Sequence, residues 1–288
     1  MRLNISKMII HLICPDQRGI IAQFTQLLYQ HKVNVLSLEQ HVEPDEGLFF
    51  MRVHVDLSQM TVSPDILINL LNDIESKLSG KLIINDPLKP LNMAILCTKE
   101  QAHLSDLVMK YNSEELNCSI PVVISNHNDL RSSVEQYDIE YHYLPVDATN
   151  RKSQEEEILF LLENHKIDVV VLARYMQILP PQIVKKYKGR IINIHHAFLP
   201  AFKGDRPYHK AWARGVKMIG ATAHYVTEDL DGGPIIGQDV ESVTHQHSVK
   251  DMIQVGRDIE RRVLTSAVKA HLEHRILLHG QRTLVFHP

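Results

Sequence analysis

The chain is poor in cysteine, with Cys14, Cys97 and Cys118 alone among 288 residues, far apart and odd in number. That count argues against a disulfide framework and predicts a reducing, cytoplasmic compartment. Long apolar runs are also missing. "MIIHLIC" stops at Pro15-Asp16 without a small-residue cleavage site and is too short for a secretory leader or a membrane span. Neither sign of charge dominates: 31 Lys and Arg face 34 Asp and Glu, a formal charge of −3, so nucleic acid is not an expected partner, nor is a membrane. The 18 histidines are scattered, with no HExxH and no Cys-His cluster at zinc spacing, and no metal is expected. There is no internal repeat and no low-complexity tract.

What is present divides into two halves with different periods. Residues 1–85 read as βαββαβ. "KMIIHLI" is a strand, and "GIIAQFTQLLYQH" carries Ile20, Phe24, Leu27 and Leu28 at helical spacing. "VNVLSLEQHV" and "LFFMRVHVDL" flank the turn "PDEG", and "SPDILINLLNDIESKL" stripes Leu67, Leu70, Leu71, Ile74 and Leu78 before the strand "KLIIN". That order is the split βαβ, ferredoxin-like pattern. Residues 86–91, opening the Pro-containing "DPLKPLN", read as a linker, and 92–288 as a second domain. There "MAILC", "IPVVISN", "DVVVLA" and "RIINIH" are short apolar strands between helical patterns, implying a Rossmann-like, mainly parallel sheet. "MIGATAHYV" and "PIIGQDVESV" follow, and "SVKD" at Ser248 has capping-box spacing before a long helix. The chain closes with a strand pair about His279-Gly280.

One strand end carries polar groups. In "RIINIHH", Asn193 and His195 are two apart and share a side, while His196 points to the other. The carboxyl ends of buried parallel strands are where such folds put their ligands. On these residues alone, a loop-tying amide and a packed histidine are as good a reading as a catalytic pair. Asp231 lies in the turn "EDLDGG", and by itself an Asp before two glycines reads as a turn former.

Taken together, "NIHHAFLPAFKG" and "GATAHYVTEDLDGGPII" resemble the signature of the folate-dependent formyltransferases, and the spacing of Asn193, His195 and Asp231 is similar to that family's catalytic trio. "LARYMQIL", the double histidine and "RPYH" look most like the branch that passes the formyl group to water. "CPDQRGIIAQFTQLL" and "DEGLFFMRV" resemble the ACT domain that precedes the catalytic domain in that branch. The likeness spans essentially the whole chain. Departures are Ala197 where Ser is common, Gly232 where Glu is common, Arg18 where many ACT loops have Pro, and Ala102-His103 in place of a His-Cys pair.

The resemblance implies hydrolysis of 10-formyltetrahydrofolate to formate and tetrahydrofolate, supplying one-carbon and purine metabolism, with the folate as substrate and no tightly bound cofactor. Asn193 and His195 would hold the oxyanion, and Asp231 would take a proton from water, directly or through a relay, or keep His195 charged. Arg174, Met176, Gln177, Ile178 and Leu179 would border the pterin slot, with His224 and Gly233 also against substrate and Tyr208 and His209 lining the following loop. A small amino-acid effector would sit at Asp16, Gly19 and Asn34, where the turn before the first helix offers backbone N–H groups, in a homo-oligomer, dimer or tetramer.

Two other readings compete. Transfer to an amine is one. Glycinamide ribonucleotide as acceptor would want a glycine-rich loop after the first strand, where "CTKEQAHLSDL" has no glycine, and a tRNA acceptor would want a further basic domain after the catalytic one, which is not expected in a chain ending at Pro288. An inactive, amino-acid-binding regulatory protein is the other.

Overall fold

The structure, a computed structural model, describes residues 6–200 and 207–287. They form two compact units whose division falls between Lys89 and Pro90.

The first unit contains β1 (Lys7–Pro15), α1 (Ile20–Gln30), β2 (Asn34–Glu43), β3 (Leu48–Asp56), α2 (Pro64–Lys77) and β4 (Lys81–Asn85). Its four strands lie antiparallel in the order β2-β3-β1-β4, the ferredoxin-like arrangement. Alternate residues Met8, Ile10 and Leu12 of β1 join Phe24 and Leu28 of α1 and Leu67 and Leu71 of α2 in one core. Ser63 starts α2 by accepting from Ile66 N, with Pro64 in the first helical position. The edge strand β2 is mostly exposed and shifts register between Val35 and Ser37.

The second unit contains β5 (Leu91–Cys97), α3 (Gln101–Asn112), β6 (Cys118–Ser125), α4 (Arg131–Glu135), β7 (Glu140–Tyr143), α5 (Arg151–Asn164), β8 (Val169–Ala173), α6 (Pro181–Lys186) and β9 (Ile191–His195). It continues through α7 (Pro207–Arg214), β10 (Met218–Tyr225), β11 (Ile235–Ser242), α8 (Val249–Leu272) and the hairpin β12 (Ile276–His279) and β13 (Arg282–Val285). Seven strands form one sheet in the order β11-β10-β9-β8-β5-β6-β7. The five from β9 to β7 are parallel, and β10 and β11 are antiparallel. Both faces of β5 are covered: Met93, Ile95 and Cys97 pack in the cluster with α3 and α8, Ala94 and Leu96 in the cluster with α5 and α6. That is why these strands read as unbroken apolar runs. All three cysteines are free and buried, and burial pushes the thiols of Cys97 and Cys118 up to about 12. No helix among the described residues is long and apolar enough to cross a membrane.

Two boundaries differ from the sequence expectation. Strand β5 starts at Leu91, inside the expected linker, because Leu91 pairs with Cys118 and Asn92 N donates to Asp168 Oδ2 at 2.9 Å. The second domain was expected to run to 288, yet Phe286 and His287 group with the first unit. The Phe286 ring stacks on His11 at 6.4 Å, and His287 N donates to Glu39 Oε2 at 3.0 Å.

Candidate active site

From β5 the chain builds outwards through β6 and β7 to one edge of the sheet, and from β8 through β9 towards the other. The crevice at such a reversal is a natural binding position. Here Cys97 and Ala173 end β5 and β8 side by side, and the next residues clasp: Thr98 Oγ1 donates to Arg174 O at 2.8 Å. Arg174 has a left-handed φ of 60°, a conformation costing about 1–3 kcal/mol in a non-glycine residue unless its surroundings hold it. Beside it opens a cavity of about 920 Å³, lined by residues from 172 to 260.

The cavity brings together most of the residues singled out from the sequence. Arg174, Met176, Gln177, Ile178, Leu179, Asn193, His195, His224 and Asp231 all line it. Met176 and Ile178 are exposed at 61 % and 65 %, apolar surface at the mouth, whereas Leu179 is buried with Ile183 and Val184 and serves the core as well. Tyr208 and His209 line it from α7. Ala201–Arg206, between the double histidine and α7, lie outside the described residues. Gly233 does not line the cavity. A Cβ there would come 1.8 Å from Tyr225 O, so this glycine permits the close backbone approach where Tyr225 N donates to Pro234 O.

Strand pairing assembles the polar centre. In the β9–β10 ladder Asn193 faces His224, and Asn193 Nδ2 lies 3.3 Å from His224 Nε2. A bulge at Ala223/His224 in the β10–β11 ladder locally re-aims the strand. His224 Nδ1 sits 3.0 Å from Tyr225 O. The network therefore assigns the ring proton to Nδ1, leaving Nε2 to accept from the Asn193 amide and fix its orientation. The turn after β10, tied by Gly232 N donating to Asp229 O, folds Asp231 back at φ 54°. Asp231 Oδ2 is 3.2 Å from His195 Nδ1, and Oδ1 is 3.7 Å from His224 Nε2, the latter beyond hydrogen-bond range. Hydrogen bonding from His195 outweighs partial burial and holds the Asp231 carboxyl far below the usual carboxylate range. His195 is 5 % exposed, and its Nε2 is buried without a protein partner among the described residues.

His196 lies just past the end of β9, so strand alternation does not govern it. Its ring stacks on His195 at 5.1 Å and tilts against Tyr208 at 6.3 Å. Burial, then the Arg174 charge, pushes its pKa down to about 4, so it is neutral at neutral pH.

Sequence reasoning missed Glu260 on α8. It lines the cavity wall at 1 % exposure and accepts from Tyr208 OH at 2.6 Å and from Arg174 Nη1 at 3.3 Å. The available signal was a carboxylate in the apolar stripe Met252, Gly256, Ile259, Val263 of its helix. His103, at a position where the chain departs from the resembled pattern, is buried with Nε2 3.2 Å from Glu260 Oε2; Ala102 does not line the cavity.

The proposed effector residues lie in the first unit. Gly19, at φ 89°, precedes α1, and Asn34 opens the exposed β2. Asp16 N already donates to Gly47 O at 2.8 Å, so the turn offers fewer free N–H groups than the sequence suggests. Among the described residues, Glu140, His142 and His165 gather metal-ligand atoms within 4.8 Å at the far edge of the sheet.

A mainly parallel sheet with an amide, two imidazoles and a carboxylate gathered on β9, β10 and the turn after β10, joined to a separate ferredoxin-like unit, is the arrangement implied by the resemblance to a formyltransferase-type enzyme with an ACT domain. Comparison with known proteins agrees: the formyl transferase family profile matches residues 91–268 and the ACT domain profile residues 8–60. The chain belongs to the formyltetrahydrofolate deformylase family. It is 45 % identical to the formyltetrahydrofolate deformylase of Synechocystis, over 95 % of this chain and 96 % of that one. The crystal structure of a formyltetrahydrofolate deformylase from Pseudomonas syringae superposes with a TM-score of 0.94 at 43 % identity, covering 98 % and 94 %. A glycinamide ribonucleotide transformylase from Symbiobacterium toebii matches at TM-score 0.66 and 25 % identity, covering 72 % of this chain and 98 % of that one.

Proposed function

We propose that this enzyme hydrolyses the formyl C–N bond of 10-formyltetrahydrofolate, releasing formate and tetrahydrofolate, with Asn193, His195 and Asp231 as the working groups and the folate as substrate rather than resident cofactor. The observation that carries this is the Asp231–His195 pair, which leaves His195 Nε2 without a partner among the described residues in a cavity that Asn193 also lines.

The roles follow from proton affinity. The depressed carboxyl of Asp231 makes it a poor proton acceptor, so its work is to hold the Nδ1 proton of His195 and favour the charged ring. Nε2 then takes a proton from water as its oxygen adds to the formyl carbon, and the carbonyl electrons move to oxygen. The resulting oxyanion accepts from the Asn193 N–H not engaged by His224. As the C–N10 bond breaks, the imidazolium returns its proton to N10, and formate and tetrahydrofolate leave.

Purified protein given 10-formyltetrahydrofolate and no acceptor is expected to release formate and tetrahydrofolate in equal amounts. Strict dependence on glycinamide ribonucleotide or another amine would establish transfer instead. The same reading makes the protein cytoplasmic and a homo-oligomer. The exposed edge strand β2 supports pairing with a second copy, and Gly19 and Asn34 remain the places for a small amino acid.

A further inference from the structure

We propose that Glu260 is a positioning residue for the reaction, fixing Arg174 and Tyr208 in the cavity wall through its two carboxylate oxygens. The proposal rests on the cavity being the folate site. Four elements converge on this one carboxylate. It projects from α8, Oε1 accepts from Tyr208 of α7, Oε2 accepts from Arg174 at the end of β8, and His103 of α3 approaches Oε2 at 3.2 Å. The His103 nitrogens make no aligned hydrogen bond, so the directed bonds are those to Tyr208 and Arg174.

Burying a carboxylate is costly, and a hydrophobic residue of similar size would commonly leave a core as stable or more so. Its presence is explained by what it holds. Arg174 is fixed at both ends, its carbonyl by Thr98 and its guanidinium by Glu260, despite a left-handed backbone. Tyr208 lies over Gly256, one turn before Glu260, where a Cβ would come 2.0 Å from the phenol oxygen. The phenol in turn flanks His196, which stacks on His195. Burial pushes the Glu260 carboxyl up, but the contacts with His103, Arg174 and Tyr208 outweigh it and keep the group ionised. The wall thus joins one buried carboxylate to a phenol and a guanidinium, and Arg174, its half-buried member, borders the substrate space.

Glu260→Gln keeps the shape and can still accept from Tyr208, but loses the charge that holds Arg174. It is expected to lower kcat/KM and to weaken binding of the product tetrahydrofolate, each about tenfold, with Arg174→Gln doing the same. The Glu260→Gln/Arg174→Gln double variant should be no worse than the weaker single variant, within about twofold, because both act through one contact. A folded Glu260→Gln with wild-type kcat/KM and tetrahydrofolate affinity overturns the proposal, as do effects that multiply in the double variant. A lowered melting temperature with unchanged kinetics of the folded fraction would mark Glu260 as scaffold only, and also overturns it. If Glu260→Gln does not fold, the double variant is compared with Arg174→Gln alone, and a further tenfold loss refutes the shared contact. Should the wild type release no formate, the assigned reaction fails, while the tetrahydrofolate affinities still report on Glu260.

Discussion

His195 has one ring nitrogen facing Asp231 and one without a partner among the described residues, and its proposed role as proton carrier rests on that asymmetry. Asp231→Asn tests it. The amide fills the same space but cannot hold the imidazolium, so turnover should fall by about two to four orders of magnitude while folate-analogue affinity stays within a few-fold. Near-normal turnover in this variant would remove Asp231 from the mechanism. At this scale spacing along a strand put Asn193 and His195 on one side, but only the resemblance to the formyltransferases singled them out. The sequence was silent on Glu260 and on what His103 meets. Their significance lies in meeting across α3 and α8, far apart in sequence, and only packing brings those helices together. Gly233 misled for a related reason: beside a candidate Asp it suggests ligand contact, but its hydrogen faces the Tyr225 carbonyl.

Among the elements, α8 carries the sharpest test. Its start was readable, and the structure has both halves of the capping box: Ser248 Oγ accepts from Asp251 N, and the Asp251 carboxylate accepts from Ser248 N. Its middle holds Gly256, which intrinsic preference alone would replace, since alanine gains about 1 kcal/mol in a helix interior. Here the added methyl would collide with the Tyr208 phenol, so Gly256→Ala should gain no stability and should lower kcat/KM at least tenfold by displacing Tyr208. An unchanged kcat/KM would show that Tyr208 can shift freely. The long strands and helices were legible through period and flanking turns. The short α4, α6 and α7 were not, because helices of 5, 6 and 8 residues show too few turns for an amphipathic period. The four-residue β7 was missed likewise, its Glu140 and His142 being polar on one face.

Across the whole molecule, acidity should act through two half-buried imidazoles. The pKa values of His196 and His271 are pushed from the ordinary 6.5 down to about 4, by burial first in both. The unfolded chain therefore binds protons between those values that the native state refuses. Stability should be fully present above about pH 6.5 and be lost as pH falls towards 4, by on the order of 2–3 kcal/mol per histidine. The urea midpoint of the second unit should hold from pH 8 to 7 and drop by pH 5. His271→Gln, which can still accept from the Tyr225 hydroxyl, should flatten that slope, and a midpoint constant from pH 7 to 5 would refute the assignment. For the first unit, titrating formate release with glycine, methionine and other small amino acids while following mass by light scattering tests sensing and assembly together. An effector would shift folate affinity by roughly 5–150-fold. No response removes sensing, and a strict monomer removes β2 as an interface.

The division into two units was visible as a change of hydrophobic period. The return of Phe286 and His287 was not, because two residues after a hairpin carry no pattern. That return makes the first unit discontinuous in the gene, and the discontinuity has a consequence in time. During synthesis β1 to β4 emerge early and can pair, but the ring that closes over His11 is made only after the entire catalytic unit. The unit begun first is therefore finished last, and a chain cut at the boundary between Lys89 and Pro90 would give an N-terminal fragment still lacking the aromatic that completes it.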